Sequence, residues 1–396
     1  PRLIVTTEQG KNREDGADES IYIMDITQLL AFAMQNKASD LHLSAGSQAI
    51  IRVHGDMKRI KGEALPSETI RSMLYSIMTE DQRAAYEREL ELDFAISFGE
   101  RARFRVNAFN TRQGTAAVFR SIPSVVPTLE ELNLPPIIKK FSELEKGIVL
   151  VTGPTESGKS TTLSAMVNHI NTNMAKHILT IEDPVEFYHN SKKSLVNHRE
   201  LGTDTHSFAK ALKSALREDP DVILVGEMRD HETISLALTA AETGHLVFGT
   251  LHASSAPKTI DRIIDVFPMS DKEMVRAMLS GSLQGIVAQT LLQRSDGQGR
   301  VGAYEVLVGT NAVRNLIREN QVPQLYSMMQ TGSRYGMMTM EDAVLELLES
   351  KMITQGEARH VIVKVSDESS DLSGKGAPPV GQVVDTEEIQ NAGYSF

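Results

Sequence analysis

The stretch from Ile148 to Thr162 constrains this chain most, because an apolar run, a glycine-rich loop and a helix-compatible run follow one another there. The loop has the G-x-x-x-x-G-K-[ST] spacing of a P-loop, in the strand–loop–helix context that a P-loop needs. The residues predicted to contact phosphate are Gly153, Pro154, Thr155, Glu156, Ser157, Gly158, Lys159, Ser160 and Thr161. This pattern predicts a nucleotide-binding α/β domain.

The chemistry of such a loop follows from its backbone. Its N–H groups point inward at phosphate oxygens, and the following helix presents its positive end to the same charge. Lys159 is predicted to reach the β- and γ-phosphates, and the Ser160 hydroxyl to help hold Mg²⁺.

Glu156 is unexpected in this loop, because it puts a carboxylate in the wall of a site for anions. At ~6 Å from a phosphate it would repel that charge by roughly 1–3 kcal/mol at an effective dielectric near 20. A left-handed backbone there would add about 1–2 kcal/mol of strain. We expect weaker nucleotide binding rather than none.

Composition narrows the protein class. The chain has 396 residues, enough for two ordinary domains, and it lacks Cys, which excludes disulfides and thiolate metal sites. The net charge of −11 argues against non-specific nucleic-acid binding. No apolar run approaches the ~20 residues of a transmembrane helix, so a soluble intracellular protein is expected.

The chain is predicted to have two domains. Residues 24–122 form a first α/β domain, 123–136 a proline-rich linker and 137–365 a second domain, with disordered extensions at 1–23 and 366–396. The predicted strands are Leu41–Ser44, Ile50–His54, Asp93–Phe98, Arg103–Ala108, Thr115–Arg120, Ile148–Thr152, Ile178–Glu182, Val222–Val225 and Leu246–Leu251. Strand–helix alternation in the second domain favours a mainly parallel sheet.

From Asp271 onward the pattern is mostly helical. The segments with helical spacing are Lys272–Ala288, Ala312–Glu319, Val322–Thr331 and Thr339–Ser350. The predicted fold class is therefore α/β, with a helical C-terminal part.

Two acidic segments end predicted strands of the second domain. Thr180–Glu186 could bind Mg²⁺ through water or orient an attacking water, or be only a helix cap with solvated charges. Val222–Val225 resembles a Walker B strand, but Gly226 stands where many P-loop enzymes have the Mg²⁺-binding Asp. Glu227 follows directly and is the natural general base for water, the alternative being an exposed strand-end charge.

Two histidines flank the strand Leu246–Leu251. His252 ends the strand, at the edge of the presumed phosphate site, and is predicted to sense the γ-phosphate. His245 lies at the opposite end, where acting across a subunit boundary or holding structure is expected.

Arginines crowd the end of the first domain on alternating strand positions: Arg101, Arg103, Arg105, Arg112 and Arg120. Two interpretations stay equally open. The arginines form a solvated face of the sheet, or some of them are arginine fingers that clamp phosphate charge in the transition state.

The chain resembles the secretion-type ATPases and, among them, the PilT family of type IV pilus retraction ATPases, over roughly residues 24–359. The segments that carry the resemblance are ASDLHLSAG (Ala38–Gly46), RFRVNAF (Arg103–Phe109), the P-loop, TIEDPVEF (Thr180–Phe187), ALREDPDVILVGEMRD (Ala215–Asp230), AAETGHLVFGTLH (Ala240–His252) and AVRNLIRE (Ala312–Glu319). AVRNLIRE is similar to the motif AIRNLIRE of retraction motors, with Val313 replacing Ile. Assembly motors typically carry a tetracysteine zinc motif, which this chain lacks.

The resemblance implies a PAS-like first domain and a RecA-like ATPase domain in a homohexamer, with ATP or ADP and Mg²⁺ between subunits. It assigns Glu186 to the family's acidic box, Glu227 to the catalytic glutamate and His245 and His252 to its histidine box. Arg105 and Arg120 match the arginines that reach the phosphates. Glu227 is also expected near Mg²⁺, partly through water.

The implied activity is ATP hydrolysis that drives pilus retraction and twitching motility. The expected location is cytoplasmic, peripheral at the inner face of the bacterial inner membrane, with no transmembrane segment. Expected partners are the inner-membrane pilus platform protein and a second retraction ATPase, with no nucleic acid.

Three alternatives stay open. The first is an accessory retraction ATPase that assists the main motor. The second is a nucleotide-binding regulatory ring that Glu156 has made a weak hydrolase. The third is a DNA-translocating motor, which the acidic charge disfavours.

Overall fold

The computed structural model describes residues 25–53, 55–98, 102–122, 126–297 and 299–363. Contacts divide the chain into two compact units. The first holds the residues up to Ile96 together with Phe104–Ser121, and the second holds Ser97–Arg103 and the chain from Ile122 onward. The predicted extensions at 1–23 and 366–396 lie outside the described residues.

The first unit is built on a six-stranded sheet. Its elements are α1 (Ile26–Gln35), β1 (Asp40–Ser44), β2 (Ile50–Val53), β3 (Asp56–Arg59), α2 (Ser67–Ile77), α3 (Glu80–Glu89), β4 (Glu91–Phe98), β5 (Ala102–Thr111) and β6 (Gly114–Ile122). The strand order is β3-β2-β1-β6-β5-β4. The five predicted strands of this domain are found, whereas β3 was not predicted. Every residue of β3 is exposed, so it carries no apolar pattern.

The second unit alternates strands and helices. Its elements are α4 (Pro136–Ser142), β7 (Gly147–Thr152), α5 (Lys159–Asn173), β8 (His177–Glu182), β9 (Leu195–Glu200), α6 (Phe208–Ala215), β10 (Val222–Val225), α7 (His231–Glu242), β11 (Leu246–Leu251), α8 (Ala256–Asp265), α9 (Lys272–Ser282), β12 (Leu283–Gln293), β13 (Arg300–Val308), α10 (Asn311–Arg318), α11 (Leu325–Gln330) and α12 (Met340–Glu349). Short 3₁₀ turns cover Val322–Gln324 and Ser333–Tyr335.

These strands form a seven-stranded sheet in the order β13-β12-β7-β11-β10-β8-β9. Every neighbouring pair from β12 to β9 is parallel, and β13 is antiparallel to β12. Side chains of the central strand β7 alternate between two cores: Ile148 and Leu150 pack on one face, Val149 and Val151 on the other. Because both faces are covered, β7, β10 and β11 are buried throughout. The predicted α/β class and mainly parallel sheet are confirmed.

The prediction of one helix over Lys272–Ala288 is wrong beyond Ser282. Helix α9 ends there, and the chain enters β12, which pairs with β7 from far earlier in the sequence. Helical spacing reports only local contacts, so it cannot reveal this long-range pairing. The strand β9 was also missed, because four of its six residues are polar, so it carries no apolar run.

The helical segments that follow β13 agree with the predicted helical C-terminal part. Among the described residues, every helix is too short or too polar to cross a membrane.

Gly285 directly follows a shift in the register between β12 and β7, and it lies against a buried ring. A Cβ added there would overlap the ring of Phe141, which is 3% exposed. We expect Gly285→Ala to destabilise the second unit by about 1–3 kcal/mol through overpacking. Thermal unfolding should show a midpoint lower by about 2–4 °C for each kcal/mol.

Gly281→Ala is the matched control, because Gly281 lies in the last turn of α9, and the nearest atom to an added Cβ is 3.7 Å away. Alanine is the better helix former by up to about 1 kcal/mol, so the midpoint should stay or rise. Equal losses for the two variants would contradict the packing argument.

Candidate nucleotide-binding site

The functional segments meet because parallel strands end at the same edge of a sheet. The neighbours β7, β11, β10 and β8 all point the same way. The P-loop follows β7, His252 follows β11, Glu227 lies just beyond β10, and the acidic segment with Glu186 follows β8. The edge thus gathers four of the sequence motifs within one unit.

Backbone geometry accounts for two glycines of the P-loop. Gly153 has a φ of +149°, and an added Cβ would overlap the backbone oxygen of Gln289 on β12. Gly158 caps helix α5 with a φ of +87°. The Gln289 amide also donates to the Ser157 carbonyl at 2.7 Å, so the loop is tied to β12 as well as to its own strand.

Lys159 lies across the loop. Its Nζ donates to the carbonyl oxygens of Gly153 and Pro154 at 3.0 and 2.8 Å. Burial lowers the pKa of the ammonium, and the nearby negative charges of Glu227 and Glu186 oppose that shift. The two acidic residues predicted from the sequence therefore lie within electrostatic reach of Lys159.

Glu227 is held by two neighbours. Arg229 makes a two-point ion pair with it, Nε–Oε1 at 2.5 Å and Nη2–Oε2 at 2.6 Å, and Nε2 of His252 lies 3.2 Å from Oε1. Burial raises the pKa of Glu227, but the hydrogen bond and the positive charge of Arg229 outweigh it, helped by His252 when protonated and by Lys159, so the net shift is downward. Glu227 is thus ionised at neutral pH, as a proton acceptor must be.

His252 completes this group. Burial and the positive charge of Lys159 lower its pKa below the usual value, and Glu227 partly opposes the shift. At neutral pH the imidazole is therefore uncharged and bonds to Glu227 as a neutral donor. A neutral imidazole has one N–H, so His252 can donate either to Glu227 or to a phosphate oxygen, in neither case adding a full charge.

Gly226 replaces the usual Asp because the strand ends are close together. Its N–H donates to the carbonyl of Ile181 at 2.7 Å, and an added Cβ would lie 3.1 Å from both that oxygen and Cα of Glu182. A side chain at this position has little room.

A cleft of about 30 Å³ beside the start of helix α5 is lined by Ser160, Glu182, Gly226 and Thr250, among others. The described residues contain no cluster of three or more acidic or histidine side chains able to cage a metal. Mg²⁺ is usually bound by one or two oxygen ligands plus substrate phosphates and water, which the Ser160 hydroxyl and the Glu182 carboxylate suit. The residues present therefore fit Mg²⁺ bound together with a nucleotide.

Other predicted site residues lie elsewhere. His245 directly precedes β11, at the end of that strand opposite to His252. Its Nδ1 bonds the Ala240 carbonyl at 3.0 Å, so it lies away from Lys159, Glu227 and His252 of its own chain. In the first unit, Arg105 pairs with Asp93 and Arg120 with Asp40. Their predicted roles at the phosphates stay predictions.

Sequence reasoning missed Arg229 as a site residue, and it included Glu182 only as one of several carboxylates of the acidic segment. Arg229 lies two residues after Glu227, and this spacing was a usable signal for an ion pair in a tight turn. Glu182 ends β8 within the acidic segment, and only the structure shows that it lines the same cleft as Ser160.

Glu156 adopts the left-handed conformation, with a φ of +64°, as the P-loop geometry suggested. Its side chain is exposed. Solvent therefore screens its repulsion of phosphate, and the larger local effect is backbone strain.

The chain as a whole is similar to proteins of a known family. A family model described as "Type II/IV secretion system protein" matches residues 15–355. The chain is 56% identical over 336 residues to the type IV pilus retractation ATPase PilT of Pseudomonas aeruginosa, covering 85% of this chain and 97% of that protein. It is 57% identical over 329 residues to a twitching motility protein of Neisseria gonorrhoeae, covering 82% and 88%.

A solved structure is also similar. The crystal structure of the pilus retraction motor PilT with bound ADP superimposes with a TM-score of 0.79 at 46% identity. The match covers 85% of this chain and 96% of that chain.

Two variants of Glu156 separate charge from strain. Glu156→Gln removes the carboxylate and keeps the left-handed φ, so ADP affinity in calorimetry should rise less than about fivefold and the gain should shrink with salt. Glu156→Gly removes the charge and the strain, so it should also raise unfolding stability by about 0.5–1 kcal/mol. Equal thermal midpoints for the two variants would contradict the strain.

Glu227→Gln tests the base. The amide keeps the shape but cannot accept a proton, so kcat for ATP hydrolysis should fall by about 10²- to 10⁴-fold while ADP affinity changes little. Glu232→Gln, in the exposed first turn of α7, is the control and should leave kcat unchanged. A Glu227→Gln variant that hydrolyses ATP at the normal rate would rule out this role.

Proposed function

Because the chain belongs to the type II/IV secretion system protein family, and within it to the PilT family of pilus retraction ATPases, we propose that it is a motor whose ATP hydrolysis removes pilin from a type IV pilus. The predicted family is confirmed, and the chain is an ATPase of this family. The observation that carries the mechanism is the ionised Glu227, fixed by Arg229 and His252 within electrostatic reach of the P-loop lysine.

The proposed reaction uses residues of one sheet edge. The P-loop N–H groups and Lys159 hold the β- and γ-phosphates of ATP. Glu227 orients a water and takes its proton while the water oxygen bonds to the γ-phosphorus and the bond to the ADP oxygen breaks. Bound Mg²⁺, held by the Ser160 hydroxyl and through water by Glu182 and Glu227, would neutralise phosphate charge. His252 contacts the γ-phosphate side of the site, and Glu186 tunes Lys159.

The proposed assembly is a homohexamer with nucleotide between subunits. Arg105 and Arg120 are proposed to reach the phosphates, which requires each to exchange its carboxylate partner for phosphate charge. His245 is proposed to act across a subunit boundary or to hold structure. The proposed location is the cytoplasmic face of the inner membrane, beside the pilus platform protein and a second retraction ATPase.

An accessory ATPase and a weakly hydrolysing regulatory ring are the alternatives. The relatives' printed functions, pilus retraction and twitching motility, support the main motor. The exposed position of Glu156 supports a working P-loop, because its charge is screened. The ATPase rates of the wild type and of Glu156→Gly test the regulatory-ring alternative. If both rates are substantial and equal, that alternative is excluded.

Complementation tests the proposed function. Expression in a strain that lacks its retraction ATPase should restore twitching motility, and Glu227→Gln at the same protein level should not. The Glu232→Gln control should restore twitching like the wild type. Wild-type protein that is present at normal levels and hydrolyses ATP but does not restore twitching would refute the main-motor proposal in favour of an accessory one.

A further inference from the structure

Two buried threonines at the catalytic edge have no part in the reaction described so far. Thr152 is the last residue of β7 and is 0% exposed, and Thr250 lies in β11 and is 5% exposed. A buried hydroxyl needs a hydrogen-bond partner, and both find theirs at or just beyond the end of the neighbouring strand. In each case the partner peptides flank a residue proposed to take part in catalysis.

Thr152 is hydrogen-bonded to the residues on both sides of His252. Its Oγ1 lies 3.1 Å from the carbonyl oxygen of Leu251 and 2.9 Å from that of Ala253, and it accepts the N–H of Ala253 at 3.0 Å. Since a hydroxyl has one proton, the two carbonyls share it. Both peptides next to His252 are thereby fixed to the strand that carries the P-loop.

Thr250 bonds to the residues on both sides of Glu227, on one side through its hydroxyl and on the other through its backbone. Its Oγ1 donates to the carbonyl of Gly226, and its own carbonyl accepts the N–H of Met228 at 3.0 Å. The residues on both sides of Glu227 are thereby fixed to β11. The two threonines thus anchor the two ends of the His252–Glu227 contact, whose atoms are 3.2 Å apart.

We propose that Thr152 and Thr250 are positioning residues that set the placement of His252 and Glu227 for hydrolysis. This inference rests on the catalytic roles proposed above for those two residues. Thr250 also lines the cleft beside Ser160, but both hydroxyls are hydrogen-bonded to backbone carbonyls at or just beyond the end of the neighbouring strand, so we expect nucleotide binding to depend little on them. Their loss should therefore lower turnover and leave binding largely intact, since misplacing a catalytic group by about 1 Å can cost about 10²-fold in rate.

Isosteric variants test the proposal. Thr152→Val and Thr250→Val keep the shape of the side chain and remove the hydroxyl. In the full chain, kcat for Mg-ATP should fall by about 10- to 100-fold, while KM for ATP and the ADP dissociation constant stay within about threefold. Thr152→Ser and Thr250→Ser keep the hydroxyl and should retain kcat within about threefold.

A double-mutant cycle asks whether Thr152 acts through His252. In a His252→Ala background, Thr152→Val should have less than about a threefold effect, because the group that it positions is gone. Thr250→Val should still lower kcat in that background, because Glu227 remains. If Thr152→Val does not fold, the smaller Thr152→Ala takes its place in the cycle.

Several outcomes would overturn the inference. Valine variants that turn over like the wild type, serine variants that lose as much as valine, or independent losses for Thr152→Val and His252→Ala would each contradict positioning through the hydroxyls. If His252→Ala alone hydrolyses ATP normally, the proposed role of His252 is wrong, and so is the proposed positioning role of Thr152. If Thr152→Val and His252→Ala lower kcat independently, the role of His252 stands and only the positioning role of Thr152 is wrong.

Discussion

The parallel pairing of β7 with β11, and of β11 with β10, is the constraint on which the rest of the site depends. It places the carboxyl ends of three buried strands side by side, so that three separate loops share one edge. Lys159, His252 and Glu227 come from those loops and are distant in sequence. Without this register, the P-loop would be a phosphate-binding turn with no base beside it.

Positive and negative side chains at the carboxyl edge of the sheet offset one another. The ammonium of Lys159 faces the carboxylates of Glu227 and Glu186, while Arg229 holds Glu227 ionised. Burial works against each charged form, and the neighbouring opposite charges offset it. The site is therefore prepared for a polyanionic substrate and still keeps an ionised base, a combination that a single motif would not supply.

The backbone at the carboxyl edge of the sheet restricts which residues fit there, as the side-chain contacts do. Gly226 fits because β8 and β10 leave little room for a Cβ, and Gly153 fits because β12 lies against the loop. Glu156 takes a left-handed conformation without being glycine, which concentrates strain in the loop that binds phosphate. The buried hydroxyls of Thr152 and Thr250 then connect neighbouring loops through their backbones.

The sequence by itself determined the local patterns: the P-loop, the buried strands β7, β8, β10 and β11, and the choice of Lys159 and Glu227 as the candidate phosphate ligand and the candidate base. These follow from apolar runs, glycine spacing and residue chemistry, which act over a few neighbours. Only the tertiary structure decided that Leu283–Gln293 is a strand, that Arg229 and His252 both hold Glu227, and that His245 lies away from them. Those facts depend on pairing between segments far apart in the chain, and no local pattern encodes which distant strand a segment will meet.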